Sequence, residues 1–393
     1  METSRYLIVG GGLTADAACK GIRDVDPDGR IVLVSEEPHP PYARPPLSKA
    51  LWKGDDESTI WRETEKLGVV LRLGRRIVAL DLARREARDD RGESYSYEKV
   101  LLATGGRPRR LPFGDDEVIY FRTIDDYRRL RALAEGGAHV VVIGGGFIGS
   151  EMAAALALNG AAVTMIFPEK GIGARIFPKG LSAELVGYYR ERGVEVLSGT
   201  SVTGIERHGT STRIMLGHQH SLEANAIVAG IGIEPNVELA AHAGLSVANG
   251  IVVDLFGRVD NREDVFAAGD VARFPVPALA AEMRVEHEDH AKSHGRQVGA
   301  NMAGAREPYD HLSFFYSDLF DLGYEAVGEL DSRLDTFAEL GDLHDPGVVY
   351  YLDSKRRPRG VLLWNQFGRI DDARESIRAG APVTDDVLSE RVV

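Results

Sequence analysis

Cysteine is almost absent from this chain: Cys19 is the only one among 393 residues. A disulfide within the chain is therefore excluded, and so is a thiol relay, which needs a cysteine pair such as C-x-x-C. Cys19 falls within the first predicted helix, where we expect it to be a small residue of the core.

Long apolar runs and excess positive charge are also missing. No stretch approaches the roughly 20 apolar residues of a membrane span, and we expect neither an N-terminal signal nor a location outside the cytoplasm. The formal net charge is −13, which disfavours nucleic acid and anionic membranes as main partners. A local basic cluster, Lys355, Arg356, Arg357 and Arg359, is interpreted as a solvated hairpin turn rather than a docking site.

Glycine is abundant and forms a motif near the start of the chain. The stretch Arg5 to Ala15 predicts a buried strand over Tyr6 to Val9, a turn and a helix. Gly10, Gly12 and Ala15 match G-x-G-x-x-G/A, in which the second glycine lets a pyrophosphate approach the backbone at the helix N-terminus. Glu36 ends the next predicted strand, Ile31 to Ser35, where a carboxylate can accept the hydroxyls of a ribose. The alternative is a glycine turn that binds nothing.

The same pattern returns about 134 positions later, which disfavours that alternative. Gly144, Gly146 and Gly149 follow a predicted strand and precede a predicted helix over Ser150 to Leu158. Glu169 follows the next predicted strand, Val163 to Phe167. Two such units predict two nucleotides, most simply a flavin dinucleotide and a nicotinamide dinucleotide. A carboxylate at Glu169 favours NADH over NADPH, although Lys170 and Arg175 nearby weaken that inference.

Four charged residues between and after these motifs allow two interpretations each. Arg44 and Lys49 lie in the proline-rich segment His39 to Lys49. Arg44 could neutralise a phosphate, and Lys49 could place a positive charge beside an electron-accepting ring. Alternatively, both are solvated charges of a surface loop. Glu151 is either a carboxylate suited to a helix start or a charge facing the reacting rings. Asp270, after the short predicted strand at Val265, either accepts from polyol hydroxyls or caps a helix. We predict that residues 230–236 form a loop.

The last part of the chain changes character. Val285 to Met302 predicts a helix whose histidines, His287, His290 and His294, lie near one face, but we expect no metal there because cysteine and H-E-x-x-H are missing. From Tyr309 onward the pattern predicts a separate α+β domain with Trp364 in its core. Its predicted elements are strands over Tyr324 to Leu330, Thr336 to Leu340, Val348 to Leu352 and Gly360 to Asn365, a helix over Asp371 to Ala379, and a polar tail over 381–393.

Together these stretches resemble the two-dinucleotide flavoprotein reductases. PPYARPPLSK, HVVVIGGGFIGSE, ATGG and AAGD are similar to ferredoxin and rubredoxin reductases of oxygenase systems. FPEKG, IEPNVELA, VEHEDHA, YSDL with GYEAVG, and LLWNQF are closer to apoptosis-inducing factor. Where that family has tryptophan in a WSDL stretch, this chain has Tyr316.

The resemblance implies an α/β fold with two Rossmann-like dinucleotide-binding domains, like glutathione reductase, and a C-terminal α+β domain. It implies an FAD-binding domain over 1–115 and 234–308, an NADH-binding domain over 116–233, and a C-terminal domain over 309–393.

The resemblance also implies site residues, position by position. Those for FAD are Gly10, Gly11, Gly12, Leu13, Thr14, Glu36, Arg44, Lys49, Ile77, Arg122, Asp270, His287 and Tyr316. Those for NADH are Gly145, Gly146, Phe147, Ile148, Glu169, Arg175, Gly232, Glu286, Glu325 and Asn365. Lys49, Glu151, Phe147 and His287 are implied at the reacting rings, with Lys49 and Glu151 as an ion pair beside the isoalloxazine.

We therefore expect an NADH-dependent FAD oxidoreductase that passes electrons to a small molecule or an iron–sulfur protein, with a long-lived reduced flavin–NAD complex as one form. Two alternatives stay open. One is a ferredoxin or rubredoxin reductase of an oxygenase system. The other is an NADH-gated redox-sensing binding protein, with a homodimer that depends on the redox state.

Overall fold

The computed structural model of the chain describes residues 2–209, 211–217 and 220–386. These residues divide into two compact units. The first unit takes residues up to Ala43, Ser58–Arg107 and Glu234–Ser313. The second takes Arg44–Glu57, Pro108–Ile233 and residues from Phe314 onward. The division into three domains stays a prediction.

The first unit is built on a seven-stranded sheet. Its parallel strands, in spatial order, are Val70–Arg72, Ile31–Val34, Glu2–Val9 and Ser94–Leu102, with Val265–Ala267 also pairing in parallel with Ser94–Leu102. Glu86–Asp89 and Ile77–Asp81 continue the sheet antiparallel. All four residues of Ile31–Val34 are buried and apolar, as expected of a strand covered on both faces.

Two helices of this unit cross closely because glycines line their contact. The helices are Leu13–Val25 and Glu288–Ala303. A Cβ on Gly299 would lie 2.2 Å from the carbonyl oxygen of Ala18, and one on Gly21 would lie 1.9 Å from that of Arg296. Cys19 is fully buried on the first of these helices, as predicted. A smaller sheet (Val247–Ala248, Gly250–Val252, Ala272–Val276, Ala281–Met283) and the helix Glu238–His242 complete the main elements of the unit.

The second unit contains a parallel sheet of five strands. Their spatial order is Glu195–Ser198, Ala162–Phe167, His139–Ile143, Ala226–Ala229 and Val118–Tyr120. Its helices are Ile124–Glu135, Phe147–Leu158 and Lys179–Glu191. A three-stranded antiparallel sheet, Val202–His208, Ser211–Leu216 and Ser221–Ala224, belongs to the same unit.

The second unit also contains the C-terminal antiparallel sheet. Its strands in spatial order are Phe314–Leu319, Leu322–Gly328, Pro358–Trp364, Gly347–Leu352 and Asp335–Glu339, followed in sequence by the helix Ile370–Arg378. Trp364 is buried, which confirms its place in the core. The basic cluster at Lys355 lies in the turn between two of these strands, which confirms the hairpin interpretation.

Short elements complete the described chain. Two strands, Gly106–Pro108 and Ile233–Pro235, lie at the points in the sequence where the chain passes from one unit to the other. The 3₁₀ helices are Pro45–Ser48, Ala50–Lys53, Glu57–Ile60, Thr64–Leu67, Asp115–Glu117, Gly269–Val271 and Pro277–Leu279. Among the described residues, no helix is both long enough and apolar enough to cross a membrane.

The α/β class with two Rossmann-like sheets and a C-terminal α+β region is confirmed, but some boundaries were wrong. The helix predicted over Val285 to Met302 begins at Glu288, because His287 has an extended backbone and takes the N-cap position. The helix predicted from Ser150 begins at Phe147, directly after the glycine turn, so Glu151 lies beyond its first turn. The loop predicted over 230–236 contains the strand Ile233–Pro235. The strand Phe314–Leu319 was missed, and the predicted tail lies outside the described residues from position 387.

Candidate active site

The first glycine turn, residues 10–12, joins the strand Glu2–Val9 to the helix Leu13–Val25. Gly10 has a φ of +128°, and a Cβ there would lie 2.1 Å from the carbonyl oxygen of Ala103. Within the described part of the chain, no atom lies within 4 Å of where a Cβ on Gly12 would stand. The fold therefore demands glycine at position 10, whereas at position 12 glycine leaves open space in front of the helix N-terminus.

The second glycine turn, residues 144–146, repeats this arrangement in the second unit. Gly144 has a φ of +117°, and its Cβ would lie 2.4 Å from the carbonyl oxygen of Gly230. A Cβ on Gly149 would lie 2.0 Å from the carbonyl oxygen of Gly144. Gly146 again faces open space, with no described atom within 4 Å of its Cβ position.

Both turns fit the pyrophosphate of a dinucleotide. Gly12 and Gly146 are the N-caps of their helices, and no side chain of the described residues caps either helix. The first N–H groups of a helix need acceptors, and together with the helix dipole they favour an anion. An open cradle at an uncapped helix N-terminus, present once in each unit, matches one dinucleotide per unit.

Each turn has a carboxylate at the end of the neighbouring strand. Glu36 follows Ile31–Val34 and is exposed, with Arg76 Nε 3.9 Å from its Oε1. Glu169 follows Ala162–Phe167, and its Oε1 lies 3.1 Å from Arg175 Nη2. Glu169 and Arg175 are therefore paired, and the carboxylate is available to a ribose only beside that guanidinium.

Asp270 and Glu286 come together in the first unit through one arginine, and His287 follows Glu286 in the chain. Arg284 Nη1 donates to the backbone carbonyl of Asp270 at 3.1 Å and lies 2.8 Å from Glu286 Oε1. Asp270 lies within the 3₁₀ helix Gly269–Val271 and does not cap it, which removes the capping interpretation. Burial lowers the pKa of His287 to about 4, so its imidazole is neutral at pH 7.

Lys49 and Glu151 form an ion pair in the second unit. Lys49 Nζ lies 2.7 Å from Glu151 Oε1, and the two side chains are 11% and 3% exposed. The pair itself was expected from the resemblance; its place beside a flavin stays a prediction. Arg44 Nη1 donates to the backbone carbonyl of Arg122 at 2.7 Å, which brings these two predicted residues together as well.

Apolar and aromatic side chains are exposed near the second turn. Phe147 is 40% exposed and packs edge-on against Phe315, with ring centroids 5.2 Å apart, and Ile148 beside it is also exposed. The Tyr316 ring centroid lies 5.3 Å from Lys49 Nζ. A large exposed ring directly after the second turn suits stacking by a flat ligand.

Two residues predicted to hold NADH accept hydrogen bonds from the backbone. Glu325 accepts from the backbone N–H of Gly368 at 3.0 Å, and Asn365 accepts from that of Gly323 at 3.0 Å.

The other predicted residues are set by the fold around them. Gly232 has a φ of +95°, so glycine is needed for the chain path there. Ile77 starts an antiparallel strand of the first sheet and is buried. A Cβ on Gly11 would lie 2.2 Å from Ser35 Oγ, and one on Gly145 would lie 2.8 Å from the ring of Phe167. Leu13 and Thr14 are buried residues at the start of the first helix.

Two serines at the ion pair were missed. Ser48 Oγ donates to Glu151 Oε2 at 2.6 Å, and Ser317 Oγ donates to Glu151 Oε1 at 2.5 Å. Ser48 precedes Lys49 and could have been suspected from that position. Ser317 is 166 positions from Glu151, and no local pattern marks it.

The histidines after His287 form a packed aromatic cluster. His290 stacks on Phe274 with centroids 4.4 Å apart, and His294 lies 4.5 Å from the Tyr309 ring. Burial lowers the pKa of His294 to about 3 and holds that of His290 well below its usual range. Among the described residues, no group of three or more His, Cys, Asp or Glu side chains is arranged to hold a metal ion.

Two open glycine cradles on two Rossmann-like sheets define a protein that binds two dinucleotides. Residues 4–295 match the family described as pyridine nucleotide-disulphide oxidoreductase, and residues 298–342 match the C-terminal family of mitochondrion-associated apoptosis-inducing factor. The chain belongs to the pyridine nucleotide-disulphide oxidoreductase family.

Similar proteins support a more specific assignment. The chain is 32% identical to apoptosis-inducing factor 1, mitochondrial, of Dictyostelium discoideum, over 96% of this chain and 79% of that one. It is 34% identical to the ferredoxin–NAD(+) reductase component of the anthranilate 1,2-dioxygenase system of Burkholderia cepacia, over 97% and 96%. The putidaredoxin reductase–putidaredoxin complex superposes with a TM-score of 0.90 at 30% identity, over 99% of this chain and 96% of that chain. This chain is an FAD-dependent NADH oxidoreductase of the apoptosis-inducing-factor-like group.

Proposed function

We propose that the chain passes electrons from NADH to an iron–sulfur protein, and that they leave the bound flavin directly. The observation that carries this proposal is the lack of a thiol relay in a chain with two dinucleotide cradles. Cys19 is the single cysteine, it is fully buried, and burial raises the pKa of its thiol. Similarity along the whole chain to ferredoxin reductases supports an iron–sulfur acceptor.

The residues divide into two groups for this function. The bound flavin supplies hydride acceptance and electron release. The residues proposed to hold FAD are Gly10 to Thr14, Glu36, Arg44, Arg122, Asp270 and His287. Gly146, Phe147 and Glu169 are proposed to hold NADH, with Phe147 as the ring on which the nicotinamide stacks. Lys49 is proposed to place its ammonium at the flavin ring.

A second candidate is an NADH-gated binding protein, in which NADH acts as a signal and turnover is slow. The match of residues 298–342 to the C-terminal family of apoptosis-inducing factor favours it. A cytoplasmic location and a redox-dependent homodimer also remain predictions from the sequence.

The test is an anaerobic reduction by NADH followed by mixing with oxidants. The reduced protein is mixed in separate runs with a [2Fe–2S] ferredoxin, a rubredoxin, a benzoquinone and air, while the flavin absorbance is followed. We expect the ferredoxin to reoxidise the protein at least about tenfold faster than air does. Slow reoxidation by all four, together with a changed oligomeric mass, would overturn this proposal and support the gated binding protein.

A further inference from the structure

Glu151 is a buried carboxylate with three side-chain donors. Its Oε1 atom contacts Lys49 Nζ at 2.7 Å and accepts from Ser317 Oγ at 2.5 Å, while its Oε2 atom accepts from Ser48 Oγ at 2.6 Å. Hydrogen bonds to a charged acceptor are short and strong. The two hydroxyls therefore fix the carboxylate independently of the lysine.

The donors come from separate segments of the second unit. Ser48 ends the 3₁₀ helix Pro45–Ser48, and Lys49 follows it. Ser317 lies on the strand Phe314–Leu319 of the C-terminal sheet. Glu151 itself belongs to the helix Phe147–Leu158, which begins directly after the second glycine turn. One hydrogen bond thus joins the C-terminal sheet to the helix of the nicotinamide cradle.

Two buried phenols also face this carboxylate. They are Tyr189, on the helix Lys179–Glu191, and Tyr324, on the strand Leu322–Gly328. Burial, and next the charge of Glu151, raises the pKa of each phenol well above its usual value. Lys49 is the cation paired with Glu151, and the two serine hydroxyls are its other side-chain donors.

We propose that Ser317 and Ser48 are positioning residues that hold the Glu151 carboxylate in place, so that the Lys49 ammonium stays fixed during reduction by NADH. This inference rests on the proposed location of Lys49 at the flavin ring. It gives the C-terminal sheet a direct part in the reductive step, through Ser317. Loss of one hydroxyl removes one of the two hydrogen bonds that fix the carboxylate apart from the lysine, so the ammonium is held less firmly.

The experiment measures the rate of flavin reduction by NADH and the midpoint potential of the bound flavin. In Ser317→Ala, the rate is expected to fall by about tenfold, as expected for a lost hydrogen bond to a charged group. The midpoint potential is expected to fall as well, because a positive charge held beside the ring favours the reduced flavin. Ser317→Thr keeps the hydroxyl and should restore the wild-type rate and potential.

Two controls separate positioning from general damage. Ser182 is buried in the same unit and donates to the carbonyl of Ile172 at 2.8 Å, so Ser182→Ala removes a comparable bond without touching Glu151. It should keep the wild-type rate and potential. In a Glu151→Gln background, Ser317→Ala should change neither quantity further. If Ser317→Ala does not fold, Ser48→Ala tests the same inference with the same expected direction.

The outcomes distinguish this inference from its basis. If Ser317→Ala and Ser48→Ala keep the wild-type rate and potential while Lys49→Met changes both, the positioning role is overturned and the location of Lys49 stands. If Lys49→Met changes neither, the proposed location of Lys49 fails, and this inference fails with it. The electron acceptor is tested in the reoxidation step and does not enter these measurements.

Discussion

Replacing Gly146 with alanine should damage NADH binding while leaving the fold and the flavin in place. Gly146 has a φ of −86°, which alanine adopts without strain, and no described atom would touch the new methyl group. Alanine is a poorer N-cap than glycine, so we expect a loss of unfolding free energy of no more than about 1 kcal/mol.

The expected loss of affinity follows from the open space at this position. The methyl group would occupy the side from which a pyrophosphate approaches the helix N–H groups. Losing one hydrogen bond to a charged group costs about 1.5–3 kcal/mol. The dissociation constant of NADH should therefore rise by about 10- to 100-fold.

The assay compares three variants by flavin content, urea denaturation and NADH titration. Gly187→Ala, in the middle of the helix Lys179–Glu191 and facing open space, is the matched control and should stabilise by about 0.5–1 kcal/mol with normal NADH binding. Gly144→Ala should be destabilised well beyond Gly146→Ala, since its φ is positive and its methyl would meet the Gly230 carbonyl. A Gly146→Ala protein that binds NADH normally, or that loses flavin along with NADH, would refute the reasoning.

Three further predictions concern Gly12, Glu169 and His294. Gly12→Ala should lower the flavin bound per chain while sparing NADH binding to the second unit, and equal loss of both nucleotides would count against separate cradles. Glu169→Ala should raise the NADPH/NADH ratio of kcat/KM by about tenfold or more, because Arg175, 85% exposed, loses its carboxylate partner and can pair with a 2′-phosphate; an unchanged ratio would contradict this. Burial lowers the pKa of His294 to about 3, so its stabilising contribution is complete above the unfolded value of about 6.5 and falls by about 1.4 kcal/mol for each pH unit below it. His294→Gln should flatten the fall of Tm between pH 6.5 and 4, measured with excess FAD, and an equally steep fall in this variant would exclude His294 as the cause.

The glycine turns were predictable from sequence because their physics is local. A buried strand, a glycine at positive φ and a helix N-terminus are all encoded within about a dozen residues, as at Gly10 and Gly144. The motif could not show why each glycine is needed. The fold requires the first glycine of each turn, because a Cβ there would meet the carbonyl group of Ala103 or Gly230, each of which follows a strand distant in sequence. The second glycine meets no described atom, so the space in front of it is left for a ligand.

Other features escaped prediction because they depend on distant partners or on single backbone angles. His287 has an extended backbone and starts no helix, although its neighbours read as one continuous helical pattern. Phe314–Leu319 alternates poorly between apolar and polar residues, so it was missed as a strand. Its Ser317 donates to Glu151 only because the C-terminal sheet brings the two residues together.

The position of Ser317 bears on the choice between the two candidate functions. Ser317 donates to the same carboxylate that pairs with Lys49. A partner that shifts the C-terminal strand would therefore change the contact between Glu151 and Lys49. A change at the ion pair would likewise change the position of the strand. A coupling free energy between two sites is reciprocal, so a partner bound to the sheet changes NADH affinity by the same factor by which NADH changes partner affinity. An electron-transfer enzyme and an NADH-gated binding protein can therefore use the same contact. They differ in how long the reduced form lasts, which is why the rate of reoxidation, and not the strength of partner binding, separates them.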